Sequence, residues 1–221
     1  MPNYIDVIYD KKIRPHTKYP DKLCSYLFNR FNMSKGQTLL DLGCGRGDFA
    51  KAFESTGLLV KGLDLQKSSA DILQGIEVFY ANFEHDKFPF KDESFDVVFS
   101  KSVIEHIQSP QHFIKETRRI LKPGGRIITM TPDWHTQQLI FYDDYTHVHP
   151  YTVTGLKDML VIFDFKNIQV EKFYQLPILW KYPQLKILSK TLQLFGPVKK
   201  IYKNKFIRWS RELMILAYGE K

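Results

Sequence analysis

The sequence predicts an α/β fold, a largely parallel sheet with crossover helices, on three observations. From Thr38 onward, short β-branched or apolar runs alternate with amphipathic stretches. A glycine-rich loop with Gly43, Gly45 and Gly47 follows the first apolar run and opens a helical pattern. An acid, Asp64, closes the second apolar run, where doubly wound folds meet their ligands. The 221 residues are 43% hydrophobic and 25% charged, ordinary values that set aside collagen-like, coiled-coil and mostly disordered chains. That length suits one domain with room for an elaboration.

Taken in order, residues 20–31 read as a helix ahead of the first strand, and strands are expected at 38–42, 58–64, 76–81, 95–100 and 126–131. The helix between the last two is the best marked. Ser109 caps it, Pro110 takes the first helical position, Phe113, Ile114, Ile120 and Leu121 share a face, and Lys122-Pro123-Gly124-Gly125 stops it. Farther on, 152–163 reads as a helix, and 165–173 and 212–218 as an antiparallel edge pair of strands. The single domain of 1–221 then divides into an N-terminal cap (1–35), a ligand-binding core (36–173 with 211–219) and a basic aromatic insertion at 174–210.

The net charge of +8 would suggest a nucleic-acid partner if it were spread evenly. It is not: between Lys172 and Arg211 stand ten basic and no acidic residues, which leaves the rest of the chain near −2. That segment is also rich in Leu, Ile, Phe, Trp and Tyr, a combination that an anionic membrane face or a lipid-carried substrate would attract. No run of eighteen apolar residues occurs, and the N-terminus carries charges where a signal peptide needs a hydrophobic run, so a cytoplasmic location is expected, peripheral at the inner membrane face if the insertion docks there. Cys24 and Cys44 form no C-x-x-C pair and read as free thiols.

The glycine loop, T-L-L-D-L-G-C-G-R-G-D-F at 38–49, lets a ligand approach the backbone without an intervening side chain. It departs from the dinucleotide fingerprint, because Asp48 fills the slot that close helix packing reserves for a small residue, and no Walker loop is present. Asp41 puts a carboxylate where a pyrophosphate would have to come, which suits a cationic ligand better. Asp64 is placed for a ribose diol, and Asn82 with Phe83 offers an amide and a ring for a purine.

With F-P-F-K-D-E-S-F-D-V-V-F-S-K-S-V-I-E-H-I at 88–107 and I-L-K-P-G-G-R-I-I-T-M-T-P at 120–132, these residues resemble the class I S-adenosylmethionine-dependent methyltransferases, in particular the UbiE-like small-molecule branch, over residues 36–135. The resemblance implies a Rossmann-like seven-stranded sheet in the order 3-2-1-4-5-7-6 with strand 7 antiparallel. It also implies S-adenosylmethionine as cofactor, with Gly43 and Gly45 near the methionine part and Asp64 on the ribose hydroxyls. Leu65 and Phe83 would then meet the adenine, Asn82 its exocyclic amine, and Lys101 the methionine side. The family more often has Asp at the position of Asn82, and either can accept from an adenine N–H. Glu105 and His106 read as structural residues of a helix.

The stretch after the fifth strand, 131–152, is dense in groups that handle protons, and three of the seven histidines lie in it. Its run Asp144 to Pro150 resembles methyltransferases encoded with bacterial surface-polysaccharide genes, which points to a sugar hydroxyl as acceptor. An alcohol needs a base: His147 or His149 would serve, with Asp144 fixing the imidazole. Asp143, Asp144, His147 and His149 match no strong metal motif, so no metal is expected. In the insertion, Leu185, Ile187, Leu188, Leu192, Leu194 and Phe195 suggest an amphipathic helix in a segment broken by Pro177, Pro183 and Pro197. Nucleic-acid methylation is disfavoured, since neither an N-P-P-[YF] tetrapeptide nor a Pro-Cys nucleophile is present. A quinone or lipid acceptor, or a non-catalytic cofactor-binding protein at a membrane, is the alternative.

Overall fold

The computed structural model describes residues 16–65, 75–195 and 205–221. Helix α1 (Tyr19–Arg30) starts with Pro20 in its first turn and buries Leu23, Cys24 and Leu27, the i, i+4 stripe of an amphipathic helix. Strand β1 (Thr38–Leu42) is buried from Leu39 to Leu42, as a strand covered on both faces requires. The glycine loop leads into α2 (Asp48–Glu54), and then follow β2 (Leu59–Asp64), β3 (Val78–Tyr80) and β4 (Phe95–Lys101). After a 3₁₀ turn at Ile104–His106 come α3 (Pro110–Ile120) and β5 (Leu121–Pro132). The helix begins at the expected proline, but β5 opens earlier than expected and takes in the Lys122–Gly125 segment, where Gly124 bends the chain at φ +73°.

The second half continues with the short α4 (Trp134–Gln137), a 3₁₀ turn at Phe141–Asp143, α5 (Val153–Ile162) and β6 (Lys166–Phe173). Thr152 caps α5 by accepting the Gly155 N–H at 3.1 Å. The insertion folds as α6 (Pro177–Lys181), a 3₁₀ turn at Pro183–Leu185, α7 (Lys186–Phe195) and α8 (Lys205–Arg211), and β7 (Met214–Glu220) closes the chain.

The seven strands form one sheet in the order β3-β2-β1-β4-β5-β7-β6. Pairs β1–β2, β1–β4 and β2–β3 are parallel, whereas β6–β7 is antiparallel, with Gln169 opposite Tyr218 and Phe173 opposite Met214. This is the Rossmann-like order expected from the sequence.

Two compact units are distinguished. The first holds the described residues up to Ser100 with Gln111–Ile127 and Lys221; the second holds Lys101–Pro110 with Ile128–Glu220. In the first, Phe99 meets Phe53 edge-on with ring centres 4.9 Å apart. In the second, the insertion has its own small core of Tyr174, Leu176, Leu179 and Leu213, with Leu185, Phe206 and Trp209 packed against it. Ile187 and Leu188 of α7 remain exposed, at 74% and 53%. The side chains of Leu192, Leu194, Phe195 and Lys205, and all of Lys199, Lys200 and Lys203, lie outside the described residues. Among the described residues no helix is long and apolar enough to cross a membrane.

Candidate active site

In the first unit, the loop after β1 is wound tightly against the end of β2. Gly43 N–H donates to the Leu63 carbonyl at 2.7 Å and Gly47 N–H to the Cys44 carbonyl at 2.8 Å. Gly43, Gly45 and Gly47 hold φ values of +73°, +51° and +78°, so the conformation itself demands glycine at all three. The Gly45 N–H donates to Asp64 Oδ2 at 2.7 Å, so the acid at the end of β2 fixes the loop. Close packing behind it needs Gly62, where a Cβ would stand 2.8 Å from Cys44 Sγ.

Asp41 is buried beneath this loop. Its Oδ2 lacks a hydrogen-bond partner, and its carboxyl is pushed up to about 8, by burial first and then by the Asp64 charge, against a hydrogen bond from the Ala50 N–H. The same two acids hold the Cys44 thiol up, after burial, and Asp41 with Asp21 does so for Cys24. Both cysteines are free thiols. A partnerless buried carboxylate oxygen and a nearby second acid, under a glycine loop open above Gly45, fit the positively charged sulfonium donor that the resemblance implies.

This arrangement has a measurable sign. The fold favours neutral Asp41, so its contribution to stability is complete below the unfolded carboxyl range near pH 4 and drains away as pH rises to about 8. Without ligand, the thermal midpoint of the wild type is expected to fall more steeply between about pH 5 and about pH 9 than that of Asp41→Asn, whose amide stays neutral. Parallel slopes would refute the assignment.

The adenine-side candidates are less uniform. Leu65 is 58% exposed. Asn82 forms a turn, its Oδ1 accepting the Glu84 N–H at 2.9 Å while its own N–H donates to Asp86 Oδ2 at 2.7 Å. One lone pair of Oδ1 thus serves the turn, and an amide oxygen has a second with which to accept. Phe83 is half-buried, edge-on to Phe88 and Phe113.

Lys101 belongs to the second unit, where its charge acts on Glu105. Ser102 follows with φ +58°, a left-handed conformation that turns the chain out of β4, and its N–H donates to the Met130 carbonyl at 2.8 Å. The segment expected as a helix is a single 3₁₀ turn over Ile104–His106. It sinks Glu105 completely: Oε2 accepts from the Thr131 hydroxyl at 2.9 Å, and Oε1 lacks a hydrogen-bond partner. Burial pushes this carboxyl up to about 7, against hydrogen bonds from its own backbone N–H and Thr131 and the charge of Lys101, with Asp144 adding to the rise.

The proton-handling loop comes down onto that turn. The Glu105 carbonyl accepts both the Val148 and the His149 N–H, at 2.9 and 3.0 Å. His106 Nδ1 lies 3.3 Å from the Thr146 carbonyl and 2.9 Å from its hydroxyl; a carbonyl only accepts, so Nδ1 carries the proton. The Thr146 hydroxyl donates onward to Asp144 Oδ1 at 2.6 Å. Asp144 therefore orients an imidazole through Thr146, and that imidazole is His106. His147 Nδ1 donates to the Phe141 carbonyl at 2.7 Å, which makes Nε2 the lone-pair nitrogen. The His106 and His147 rings pack edge-on at 4.7 Å. Burial, then His147, hold His106 below the usual histidine range. Burial tends to raise Asp144, but the Thr146 side chain and amide, then His147 and His106, outweigh it and hold the carboxyl low.

His149 stacks flat on Tyr151 at 4.6 Å. Asp133, another acid of this loop, is fully buried and pairs with Lys172 at 3.0 Å. The structure therefore brings His147 and Asp144 together with Glu105, His106, Thr131 and Thr146. Sequence reasoning read Glu105 as a structural residue of a helix; its one signal for the site was an acid–histidine pair directly after a central strand, where such sheets place their ligands.

Residues 40–129 match a family described as methyltransferase domain. An uncharacterized protein of Methanocaldococcus jannaschii is 29% identical over 215 residues, 93% of this chain and 88% of its own length. Phosphoethanolamine N-methyltransferase 2 of Caenorhabditis elegans is 31% identical over 158 residues, 66% of this chain but only 36% of that protein. Among solved structures, a SAM-dependent methyltransferase from Archaeoglobus fulgidus superposes with a TM-score of 0.70 over 99% of this chain and 100% of its own, at 18% identity.

Proposed function

We propose that the chain is a class I S-adenosylmethionine-dependent methyltransferase that methylates a hydroxyl of a small molecule, a sugar or lipid-linked glycan precursor in particular. The bound cofactor supplies an electrophilic methyl group on a sulfonium. In this reading the bound sulfonium draws the otherwise neutral Asp41 to its ionised form and is met by that charge, Gly43 and Gly45 admit the methionine part, and Asp64 accepts from the ribose hydroxyls. Asn82, Phe83 and Leu65 serve the adenine.

The observation that carries the hydroxyl reading is His147. Its Nδ1–H is committed to a main-chain carbonyl, so Nε2 is held as a fixed proton acceptor in a cluster of further polar side chains. A neutral amine attacks a methyl group without prior deprotonation, whereas an alcohol must lose its proton as the bond forms. The relative named for phosphoethanolamine has an amine acceptor, so the distinction is open to a direct test. With S-adenosylmethionine, release of S-adenosylhomocysteine is expected with sugar alcohols or glycan precursors and not with primary amines of similar size. The reverse pattern would overturn the reading.

The basic insertion supports a lipid-linked acceptor through exposed Ile187 and Leu188 beside a lysine-rich sequence. Salt-sensitive flotation with anionic vesicles is the check, and its absence removes the membrane part alone.

A further inference from the structure

We propose that Glu105, His106 and His147 bind a divalent first-row transition cation. Each offers one ligand atom, and the three atoms lie within 4.8 Å of one another. Two imidazoles and a carboxylate suit manganese, iron, cobalt or zinc better than magnesium or calcium, which prefer all-oxygen shells. The set differs from the four loop residues that the sequence alone brings to mind, because Glu105 and His106 come from the turn after β4 and only His147 from the loop.

Three features make this more than proximity. Glu105 Oε1 is buried without a hydrogen-bond partner, a costly state for a carboxylate oxygen that a cation would relieve. Glu105 Oε2 is meanwhile held by Thr131, which fixes the carboxylate plane. Both rings are oriented through Nδ1, His147 by the Phe141 carbonyl and His106 by Thr146. Metal-bound histidines are oriented by such partners. Ligand atoms around an ion at about 2.1 Å stand roughly 3 Å apart, a contraction that side-chain rotation at three residues supplies.

Three protein ligands leave positions open for a substrate oxygen, whose hydroxyl would then lose its proton more readily. That consequence rests on the methyl-transfer reading, and His147 would there hold the ion rather than take the proton. Binding itself does not depend on the acceptor.

The test is titration of the full-length, chelator-stripped protein with MnCl₂, ZnCl₂ and MgCl₂ by calorimetry, with Mn²⁺ also followed by electron paramagnetic resonance. One equivalent of Mn²⁺ or Zn²⁺ is expected to bind more tightly than Mg²⁺. Glu105→Gln and His147→Ala should weaken binding by more than about 100-fold, and Thr131→Val, which removes only the outer hydrogen bond, by about 10–100-fold. His135→Ala, at an exposed histidine of α4, should leave it unchanged. His147 is only half-buried, so its variant keeps the test valid if Glu105→Gln fails to fold. Absence of binding at millimolar ion, or equal binding by wild type and His147→Ala, overturns the proposal. Methyl transfer to a hydroxyl that survives complete chelation would overturn the catalytic use of the ion and leave the function standing. Binding without any hydroxyl acceptor would do the opposite.

Discussion

Replacing Asp64 with alanine is expected to weaken S-adenosylmethionine binding by about 100-fold or more. The carboxylate has two duties. It receives the Gly45 N–H and so holds the glycine loop in its left-handed course, and in the proposed complex it also receives ribose hydroxyls. Hydrogen bonds to an ionised group contribute about 1.5–3 kcal/mol each. Losing two of them corresponds to roughly a 100-fold change in Kd or more, at 1.4 kcal/mol per decade. Isothermal titration is the measurement. Because the ribose is common to both, S-adenosylhomocysteine should lose affinity as much as S-adenosylmethionine does. An unchanged Kd would mean that the sugar is held elsewhere.

His147→Ala is the second large effect. Single-turnover methyl transfer at saturating cofactor should fall by about 10²–10⁴, the usual contribution of a positioned acid or base, while the affinity for S-adenosylmethionine stays the same. Added imidazole should restore part of the rate, because the pocket left by the ring retains the Phe141 carbonyl that oriented it. A fall in cofactor affinity equal to the fall in rate would make His147 a binding residue. A rate within a few-fold of wild type would place the proton acceptor at another side chain, with His149 the next candidate.

The sheet was legible in the sequence because its signals are local. A strand such as Leu39–Leu42, apolar but for Asp41, can be buried on both faces only in a covered sheet, and Gly43, Gly45 and Gly47 mark a turn that no other residue type makes so easily. Asp64 was legible for the same reason, its place being set by the end of a strand. The second-unit cluster was not. Glu105 looks like a structural residue of a helix, whereas the chain leaves β4 through Ser102 at φ +58° and makes a single 3₁₀ turn, and no periodicity announces that bend. His106 and His147 are 41 residues apart in the chain, and their meeting depends on main-chain hydrogen bonds that sequence does not display. Asp144 was expected beside a catalytic imidazole; its hydrogen bonds run through Thr146 to His106, a relay that needs the three-dimensional loop to be seen. Nor does composition reveal that the basic segment builds its own apolar centre around Leu179 while leaving Ile187 and Leu188 to solvent.

The Glu105 carbonyl, by receiving two successive amides of the distant loop, staples the strand-end turn to the segment that carries His147. Those bonds are made by the peptide chain, so a side-chain change other than to proline leaves their donors and acceptor in place. The scaffold is therefore assembled before a guest arrives, and capture incurs little of the ordering penalty that a floppy chelator would face. Side-chain variants at this staple should accordingly report lost chemistry rather than a lost framework.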